Sequence, residues 1–270
     1  MTPIRSLGLA TELALAVTRG TVEDRGDYLV VRTPDDPGYY YGNLLVLPAA
    51  PQVGEVAFWS RRFADALGAD PAIRHVTLAW DGTTGDTGAA DELVAAGFRL
   101  DVTQTMSASY VAPASRSPLP LCELAAAEMT RVADLTWEMG DRHDEDFRAF
   151  LHRRARWHGD LIARGDARFW AAHDGDALVA SLGIVSLPTG TARYQDVQTA
   201  VAYRGRGLAA AMLAAAAHDA FARGATRAVI VAEPESIAAR IYARAGFQVV
   251  ERTASACRYP LAVTEASARA

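Results

Sequence analysis

A glycine-rich loop separates a strand-like run from a long alanine-rich helix in the second half of this chain. Tyr203–Ala209 reads YRGRGLA, so two glycines and two arginines fall directly before the helix. Glycine allows backbone conformations that other residues avoid and lets a ligand approach closely. The free N–H groups and the helix dipole favour an anion at a helix N-terminus. The pattern predicts a phosphate-binding site.

Composition limits the classes of protein that remain. The chain has 270 residues, half of them apolar and 22% charged, which allows one large domain or two ordinary ones and argues against general disorder. The net charge of −5 does not favour nucleic acid as a partner. All 27 basic residues are arginine. The absence of lysine excludes a Walker-type phosphate loop and Schiff-base chemistry.

The cysteines and apolar runs predict a cytoplasmic protein. Cys122 and Cys257 are far apart, so they indicate neither a disulfide framework nor a zinc site, and we expect no metal. No apolar run approaches the ~18–20 residues that span a bilayer, so no membrane partner is expected. Leu7–Val17 is interrupted by Glu12 and has helical spacing, which favours an amphipathic helix over a signal peptide.

A proline- and serine-rich segment at 112–120 is the best candidate linker. It predicts an N-terminal domain at 1–112, a linker at 113–119, a second domain at 120–262 and a tail at 263–270. The periodicity predicts a mixed α/β fold for the second domain, an α+β arrangement on a mixed sheet. The predicted helices are 125–139, 144–164, 205–222 and 235–245, and the predicted strands are 120–124, 168–173, 177–187, 191–200, 226–232 and two within 247–260.

The first half repeats part of this order. A helix near 55–67, a strand at 74–80 and a short helix at 88–96 end in Ala96-Gly97-Phe98, and the second half has Ala245-Gly246-Phe247 in the same context. Aligning these two tripeptides places Leu93 opposite Tyr242. It also places Gly54–Ala57 roughly opposite the glycine loop. These matches favour a degenerate internal duplication.

Two motifs in the second half resemble the GNAT superfamily of acyl-CoA-dependent N-acyltransferases. The motif Arg/Gln-x-x-Gly-x-Gly/Ala is matched by Arg204–Ala209, and the motif Tyr-x-x-x-Gly-Phe is matched by Tyr242–Phe247. Gln195–Val201 resembles the splayed fourth strand of that family. The resemblance covers about 119–260 and implies a GNAT fold with splayed central strands, here as a tandem of two related halves.

The resemblance implies acetyl-CoA, or another short acyl-CoA, as the donor. Backbone N–H groups of the loop would hold the pyrophosphate, and the preceding strand would pair with the pantetheine arm as an added strand would. One amide N–H of that strand would polarise the thioester carbonyl. The implied donor-binding residues are Gln198, Thr199, Ala200, Val201, Arg204, Gly205, Arg206, Gly207, Leu208 and Ala209.

The resemblance also implies catalytic roles. Tyr242 matches the position that protonates the departing thiolate, although it could instead only pack against Ala238. The acceptor is expected to be a small-molecule or peptide amine, which must attack in its neutral form and so needs a base. Asp196 and Glu233 are the candidate bases, and for each the alternative is a solvated carboxylate or a helix cap. The chain departs from the family pattern at Ser236, because the helix often opens with asparagine near the cofactor.

The first half has lost this chemistry in sequence. Its counterpart of the loop, at 52–59, has one glycine and Glu55, and a carboxylate there would repel a pyrophosphate. Leu93 replaces the tyrosine. We therefore predict one active site, in the C-terminal half. A non-catalytic acyl-CoA-binding regulatory module and an interaction protein on the same scaffold are the alternatives, and the oligomeric state is left open.

Overall fold

The structure is a computed structural model that describes residues 3–114 and 117–260. The predicted tail at 263–270 and two residues of the predicted linker lie outside the described residues. The chain divides into two compact units. Unit 1 is the chain up to Thr105 together with the chain from Val250 onwards, and unit 2 is Met106–Val249.

Helices and strands are distributed along the whole described chain. Up to Ala108 they are α1 (Leu7–Ala16), β1 (Thr21–Asp24), β2 (Leu29–Arg32), β3 (Leu44–Leu47), α2 (Val56–Leu67), β4 (Val76–Trp80), α3 (Ala90–Ala95) and β5 (Arg99–Ala108). From Leu121 they are β6 (Leu121–Glu123), α4 (Met129–Met139), α5 (Glu145–Ala163), β7 (Ala167–Asp174), β8 (Ala177–Leu187), β9 (Thr191–Thr199), α6 (Leu208–Ala222), β10 (Arg227–Ala232), α7 (Ile237–Arg244) and β11 (Gln248–Arg258). One 3₁₀ turn precedes α4 and another follows β9.

Unit 1 contains a mixed sheet with the strand order β1-β2-β3-β4-β11-β5. Strands β3 and β4 are parallel and are joined by α2, whereas β2 pairs antiparallel with β3 and β11 pairs antiparallel with β4. Side chains of β3 alternate between the two faces, as the pleat requires. Leu45 and Leu47 pack into one core with Phe63 of α2, and Leu44 and Val46 pack into a second core with α1.

Unit 2 contains a mixed sheet with the strand order β10-β9-β8-β7-β6. Its strands pair antiparallel except β9 and β10, which are parallel and joined by α6. The alanines of α6 let this helix pack closely on the sheet, and Met212 and Leu213 of α6 are fully buried there. On α5, the His158 ring lies 4.7 Å from the Phe169 ring of β7.

The two halves of the chain share an order of elements, which confirms the predicted tandem. β2-β3-α2-β4-α3-β5 corresponds to β8-β9-α6-β10-α7-β11, with the same antiparallel and then parallel pairing at the start. Both short helices end in the same way. Gly97 has φ 83° and Gly246 has φ 107°. The following Phe N–H donates to the carbonyl of Leu93 (2.9 Å) in unit 1 and of Tyr242 (3.1 Å) in unit 2, which is a Schellman-type ending.

Several predicted boundaries differ from the structure. The predicted helix at 205–222 begins only at Leu208, because Gly205 and Gly207 have positive φ. The residues predicted as two strands at 247–260 form the single strand β11. Most of β11 belongs to unit 1, since Ser255–Arg258 pairs with β4, so the division at 112–120 is not where the compact units separate. Long-range strand pairing of this kind leaves no mark in local composition.

Candidate active site

The parallel strands β9 and β10 separate after a short paired stretch. Their register runs only from Thr191 opposite Arg227 to Arg193 opposite Val229, although both strands continue beyond it. In unit 1 the equivalent strands β3 and β4 stay paired to Leu47 opposite Trp80. The separation leaves one backbone edge of β9 without a neighbouring strand. A cleft therefore opens at the carboxyl ends of β9 and β10, as expected from the resemblance.

A pocket of about 960 Å³ occupies this region of unit 2. Its walls come from β9, from the glycine loop and the first turn of α6, from α7, from the end of α4, and from the segment before β6. The lining residues are Ala112, Pro113, Ala114, Thr136, Met139, Gly140, Val197, Gln198, Thr199, Tyr203, Arg204, Gly205, Gly207, Leu208, Ala209, Ala210, Ile237, Ala238, Ile241, Tyr242, Arg244 and Ala245.

The glycine loop presents the N-terminus of α6 to the pocket. Gly205 has φ 75° and Gly207, the N-cap residue, has φ 84°. A Cβ atom at either position would meet nothing within 4 Å, so glycine is required there for its backbone conformation and not for space. The first turn of α6 has no acidic residue and no side-chain cap. Its N–H groups and the helix dipole can therefore receive an anion.

Both arginines of the loop donate hydrogen bonds to backbone carbonyls just before the loop. The Arg204 Nε–H donates to the Thr199 carbonyl at 3.1 Å, and the Arg206 guanidinium donates to the Ala202 carbonyl at 2.8 Å. Arg206 also lies 4.7 Å from the centre of the Tyr203 ring. These contacts keep both positive charges close to the N-terminus of α6. Their field adds to the attraction of the helix end for an anion.

Tyr242 forms part of the pocket wall on α7. Its side chain is buried, with 5% of its surface exposed. Burial raises the pKa of the Tyr242 phenol to about 12, and the charge of Arg193 offsets part of that increase. The ring packs near Phe247, which also contacts Tyr194 edge to face. At neutral pH the phenol is therefore protonated and can donate a hydrogen bond or a proton into the pocket.

Strand β9 contains a bulge at Asp196. Gln195 lies opposite Gly183 of β8, but Gln198 lies opposite Ser181, so β9 has one extra residue. Asp196 takes up this residue with φ 48°, in the left-handed region that few side chains adopt. Bulges of this kind redirect a strand and are common beside functional sites.

The carboxylate of Asp196 is paired with the protein's own cations. The Arg154 Nε–H of α5 donates to it at 3.1 Å, a second Arg154 nitrogen also donates, and Nδ1 of His158 lies 3.5 Å away. Burial alone would raise the pKa of Asp196. The charges of Arg154 and His158 lower it by more than burial raises it, so the pKa of Asp196 lies below its usual value. A carboxylate stabilised in this way is a weak base, which argues against the basic role predicted for it.

The side chain of Gln198 joins β9 to α4 and β8. Its Oε1 accepts from the Thr136 hydroxyl at 2.9 Å. Its Nε2 donates to the Ser181 hydroxyl at 2.9 Å and to the Val132 carbonyl at 3.3 Å. The polar end of Gln198 is thus satisfied by protein groups, which leaves its backbone as the part that can meet a ligand.

The sequence of this region matches the family described as Acetyltransferase (GNAT) family, over residues 128–247. That range contains α4, α5, the cleft between β9 and β10, the glycine loop and Tyr242. Residues 128–247 form a GNAT domain. Among the curated proteins, none matches the sequence of this chain.

Solved structures resemble the chain over most of its length. A GCN5-related N-acetyltransferase from Kribbella flavida has a TM-score of 0.66 at 17% identity, covering 96% of this chain and 97% of its own. A functionally unknown conserved protein from Staphylococcus epidermidis has a TM-score of 0.70 at 10% identity, with 90% and 95% covered. A tandem GNAT protein from the clavulanic acid biosynthesis pathway has a TM-score of 0.52 at 12% identity, covering 92% of this chain and 93% of its own. Such low identities show the shared fold alone.

Most of the predicted donor-binding residues line the pocket of the GNAT domain. Those that do are Gln198, Thr199, Arg204, Gly205, Gly207, Leu208 and Ala209, whereas Ala200, Val201 and Arg206 do not. Tyr242 also lines it. Asp196 and Glu233 do not line it, and Glu233 directly follows β10.

Sequence reasoning missed the pocket residues contributed by other segments. Thr136, Met139 and Gly140 come from the end of α4, and Ala112–Ala114 precede β6. Ile237 and Ile241 could have been predicted as pocket residues from the sequence, because they lie one helical turn apart and Ile241 directly precedes Tyr242 on α7. Ser236 caps α7 by accepting from the Ala239 N–H at 3.1 Å.

In unit 1, two carboxylate side chains are hydrogen-bonded to the segment that corresponds to the phosphate loop. The N-cap residue of α2 is Glu55, whose Oε2 accepts from the Gln52 N–H at 2.9 Å. Oε2 of Glu92 on α3 accepts from the Gly54 N–H at 2.6 Å. Because two carboxylates lie at this loop and accept from its N–H groups, the loop before α2 disfavours an anionic ligand. Leu93, fully buried, stands where unit 2 has Tyr242.

Neither metals nor membrane spans are apparent in the described parts of the chain. Across residues 3–114 and 117–260, no group of three or more His, Cys, Asp or Glu side chains could hold a metal ion. Over the same residues, no helix is both long and apolar enough to cross a bilayer.

Proposed function

We propose that unit 2 is an N-acetyltransferase that transfers an acetyl or other short acyl group from acyl-CoA to the primary amine of a small molecule or peptide. The observation that carries the proposal is the separation of β9 and β10 beside the anion-binding N-terminus of α6. One opening then offers a site for a pyrophosphate and an unpaired strand edge for an amide-containing arm. Acyl-CoA contains both groups in a single molecule.

In this proposal the donor lies along the pocket. Backbone N–H groups from Gly205 to Ala209 hold the pyrophosphate, with the charges of Arg204 and Arg206 close by. The unpaired edge of β9 at Val197–Thr199 accepts the pantetheine amides as a neighbouring strand would. The fit is supported by the two glycines, whose positive φ angles turn the loop backbone at the N-terminus of α6.

The proposed chemistry is direct transfer in a ternary complex. The neutral amine attacks the thioester carbonyl, a backbone N–H of β9 stabilises the developing oxyanion, and the carbon–sulfur bond breaks. Tyr242, kept protonated by burial, donates its proton to the departing thiolate. Because Asp196 is paired with Arg154, Glu233 is the carboxylate that we propose to receive the amine proton. It would act through water, since its side chain does not line the pocket.

The proposal assigns no transfer activity to unit 1. Its strands β3 and β4 remain paired, the carboxylates of Glu55 and Glu92 accept from the loop that precedes α2, and Leu93 has no proton to donate. Unit 1 is then a degenerate copy of the same fold without a working site of its own.

Binding and turnover can be measured separately. Calorimetry with acetyl-CoA should show one site per chain. Incubation with labelled acetyl-CoA and a panel of amines and peptides, followed by mass spectrometry, should then reveal an acetylated product. Binding without transfer to any amine would favour the non-catalytic acyl-CoA-binding module. An absence of acetyl-CoA binding would contradict the proposal and favour a scaffold used for protein interaction.

A further inference from the structure

The end of β9 that borders the pocket has lost one of its two neighbouring strands. After Arg193 it has no pairing with β10, and its pairing with β8 is interrupted by the bulge. A strand edge without such support would move, and a catalytic amide must be held within a fraction of an ångström. Some other part of the structure must therefore fix this segment.

One restraint acts at the bulge itself. Asp196 is in the left-handed region, where aspartate is tolerated better than most side chains but is still less favourable than glycine. Two nitrogens of Arg154 donate to its carboxylate, and Nδ1 of the fully buried His158 lies 3.5 Å away. Both partners belong to α5, which packs on β7. The side chain of Asp196 thus ties the bulge to a rigid helix.

A second restraint acts two residues later. Gln198 is held by the Thr136 hydroxyl of α4 and by the Ser181 hydroxyl of β8, each at 2.9 Å. Ser181 is fully buried, so this network lies beneath the pocket surface. Between the two restrained residues lies Val197, which packs on the core and lines the pocket.

We infer that Asp196 and Gln198 are positioning residues, whose side-chain contacts to α5 and α4 hold the β9 bulge so that its unpaired backbone faces the donor thioester. The inference rests on the proposed function and gives Asp196 a role other than that of a base. Strained residues persist where their surroundings over-determine them, and they are frequent at functional sites. Here two independent side-chain networks fix the conformation that β10 does not support.

The infrared spectrum of bound acetyl-CoA reports this positioning without an acceptor. Acetyl-CoA labelled with ¹³C at the thioester carbonyl should show a lowered C=O stretching frequency when a β9 amide N–H donates to it. The double variant Arg154→Gln/Thr136→Val removes a partner of each network and alters no pocket backbone. In this variant we expect the frequency shift to fall by roughly half or more and turnover to drop about 10–100-fold, as small misplacements do. We expect the Kd for acetyl-CoA to stay within about twofold, because the phosphate loop is unchanged.

Matched variants separate positioning from folding. Arg164→Gln removes an exposed ion pair from the same region, that of Arg164 with Asp166, and should leave the spectrum and turnover unchanged. Asp196→Asn keeps both an acceptor for Arg154 and tolerance of positive φ, so it should retain most of the shift, whereas Asp196→Ala should lose it. If the double variant fails to fold, the Asp196→Asn, Asp196→Ala and Thr136→Val single variants are compared instead. The same infrared shift and turnover then test the positioning role.

The outcomes distinguish the two levels of the proposal. Wild-type protein that does not bind acetyl-CoA would overturn the proposed function and this inference with it. Wild-type binding with a shifted carbonyl, together with the same shift and turnover in the double variant and in Asp196→Ala, would overturn the inference alone. Loss of the shift with preserved affinity would support it.

Discussion

Replacement of Gly207 by alanine tests the phosphate loop at its most constrained residue. Gly207 has φ 84° and is the N-cap of α6. A Cβ there would meet no heavy atom within 4 Å, so the substitution introduces no collision. Its whole cost arises from the left-handed backbone, which disfavours a side chain by about 1–2 kcal/mol.

This cost should be divided between folding and binding. If the substituted residue stays left-handed in the free protein, stability falls by about 1–2 kcal/mol, or roughly 2–8 °C in Tm. If the free loop relaxes to another conformation, stability is kept and acetyl-CoA must restore the original one on binding. The Kd then rises by roughly 5–30-fold, the equivalent of the same free energy. The two losses together should come to about 1–2 kcal/mol.

Gly224 provides the matched control at the other end of the same helix. It follows α6, has φ 96°, and a Cβ there would also meet nothing within 4 Å. Gly224→Ala should therefore lose about 1–2 kcal/mol of stability with no change in acetyl-CoA affinity. Thermal unfolding and calorimetry on both variants give the comparison. Wild-type affinity in a Gly207→Ala variant of undiminished stability would refute a phosphate site at this helix end.

Three further substitutions test other parts of the structure. Tyr242→Phe should lower kcat by about 10²–10⁴-fold with an unchanged Kd for acetyl-CoA, and a full-rate variant would remove the phenol from the mechanism. Because the phenol pKa is raised from 10 to about 12, its contribution to stability is present below pH 10 and lost between pH 10 and about pH 12. Alkaline unfolding of Tyr242→Phe should show about 2–3 kcal/mol less loss over that interval than wild type. Ser236→Ala removes the cap on the Ala239 N–H and should reduce the free energy of unfolding by about 1 kcal/mol, measured by denaturant titration. Glu92→Ala frees the Gly54 N–H in unit 1 and should cost about 0.5–1.5 kcal/mol of stability, while calorimetry finds acetyl-CoA affinity unaltered.

Much of the fold could be predicted because its signals are local. Gly97 and Gly246 end their helices with positive φ, as the two Ala-Gly-Phe tripeptides indicated. An Asp-Gly pair, which is typical of hairpin turns, stands at 174–175 between the antiparallel strands β7 and β8, and Gly175 has φ 58°. Each of these features depends on the intrinsic conformational freedom of glycine and on hydrogen bonds within a few residues.

The sequence could not show which carboxylates are paired with basic side chains. Asp196 was a candidate base because it lies on the strand before the glycine loop, but its pKa is raised by burial and lowered below its usual value by Arg154, 42 positions away in the sequence, and by His158. The network of Gln198 with Thr136 spans 62 positions. Such contacts exist only after α4 and α5 have packed on the sheet, and no pattern along the chain encodes which arginine meets which acid.

By itself, the sequence determined the glycine loop, the tandem order of elements and the loss of loop chemistry in the first half. These follow from residue types and their spacing. Only the tertiary structure decided that β9 and β10 separate before their ends while β3 and β4 stay paired to theirs. Strand pairing depends on packing between residues that are far apart in the sequence. It also decided that Asp196 belongs to an ion pair and that Glu55 and Glu92 accept from the loop before α2 in unit 1. Charge and burial depend on neighbours in space, and these are fixed only when the chain has folded.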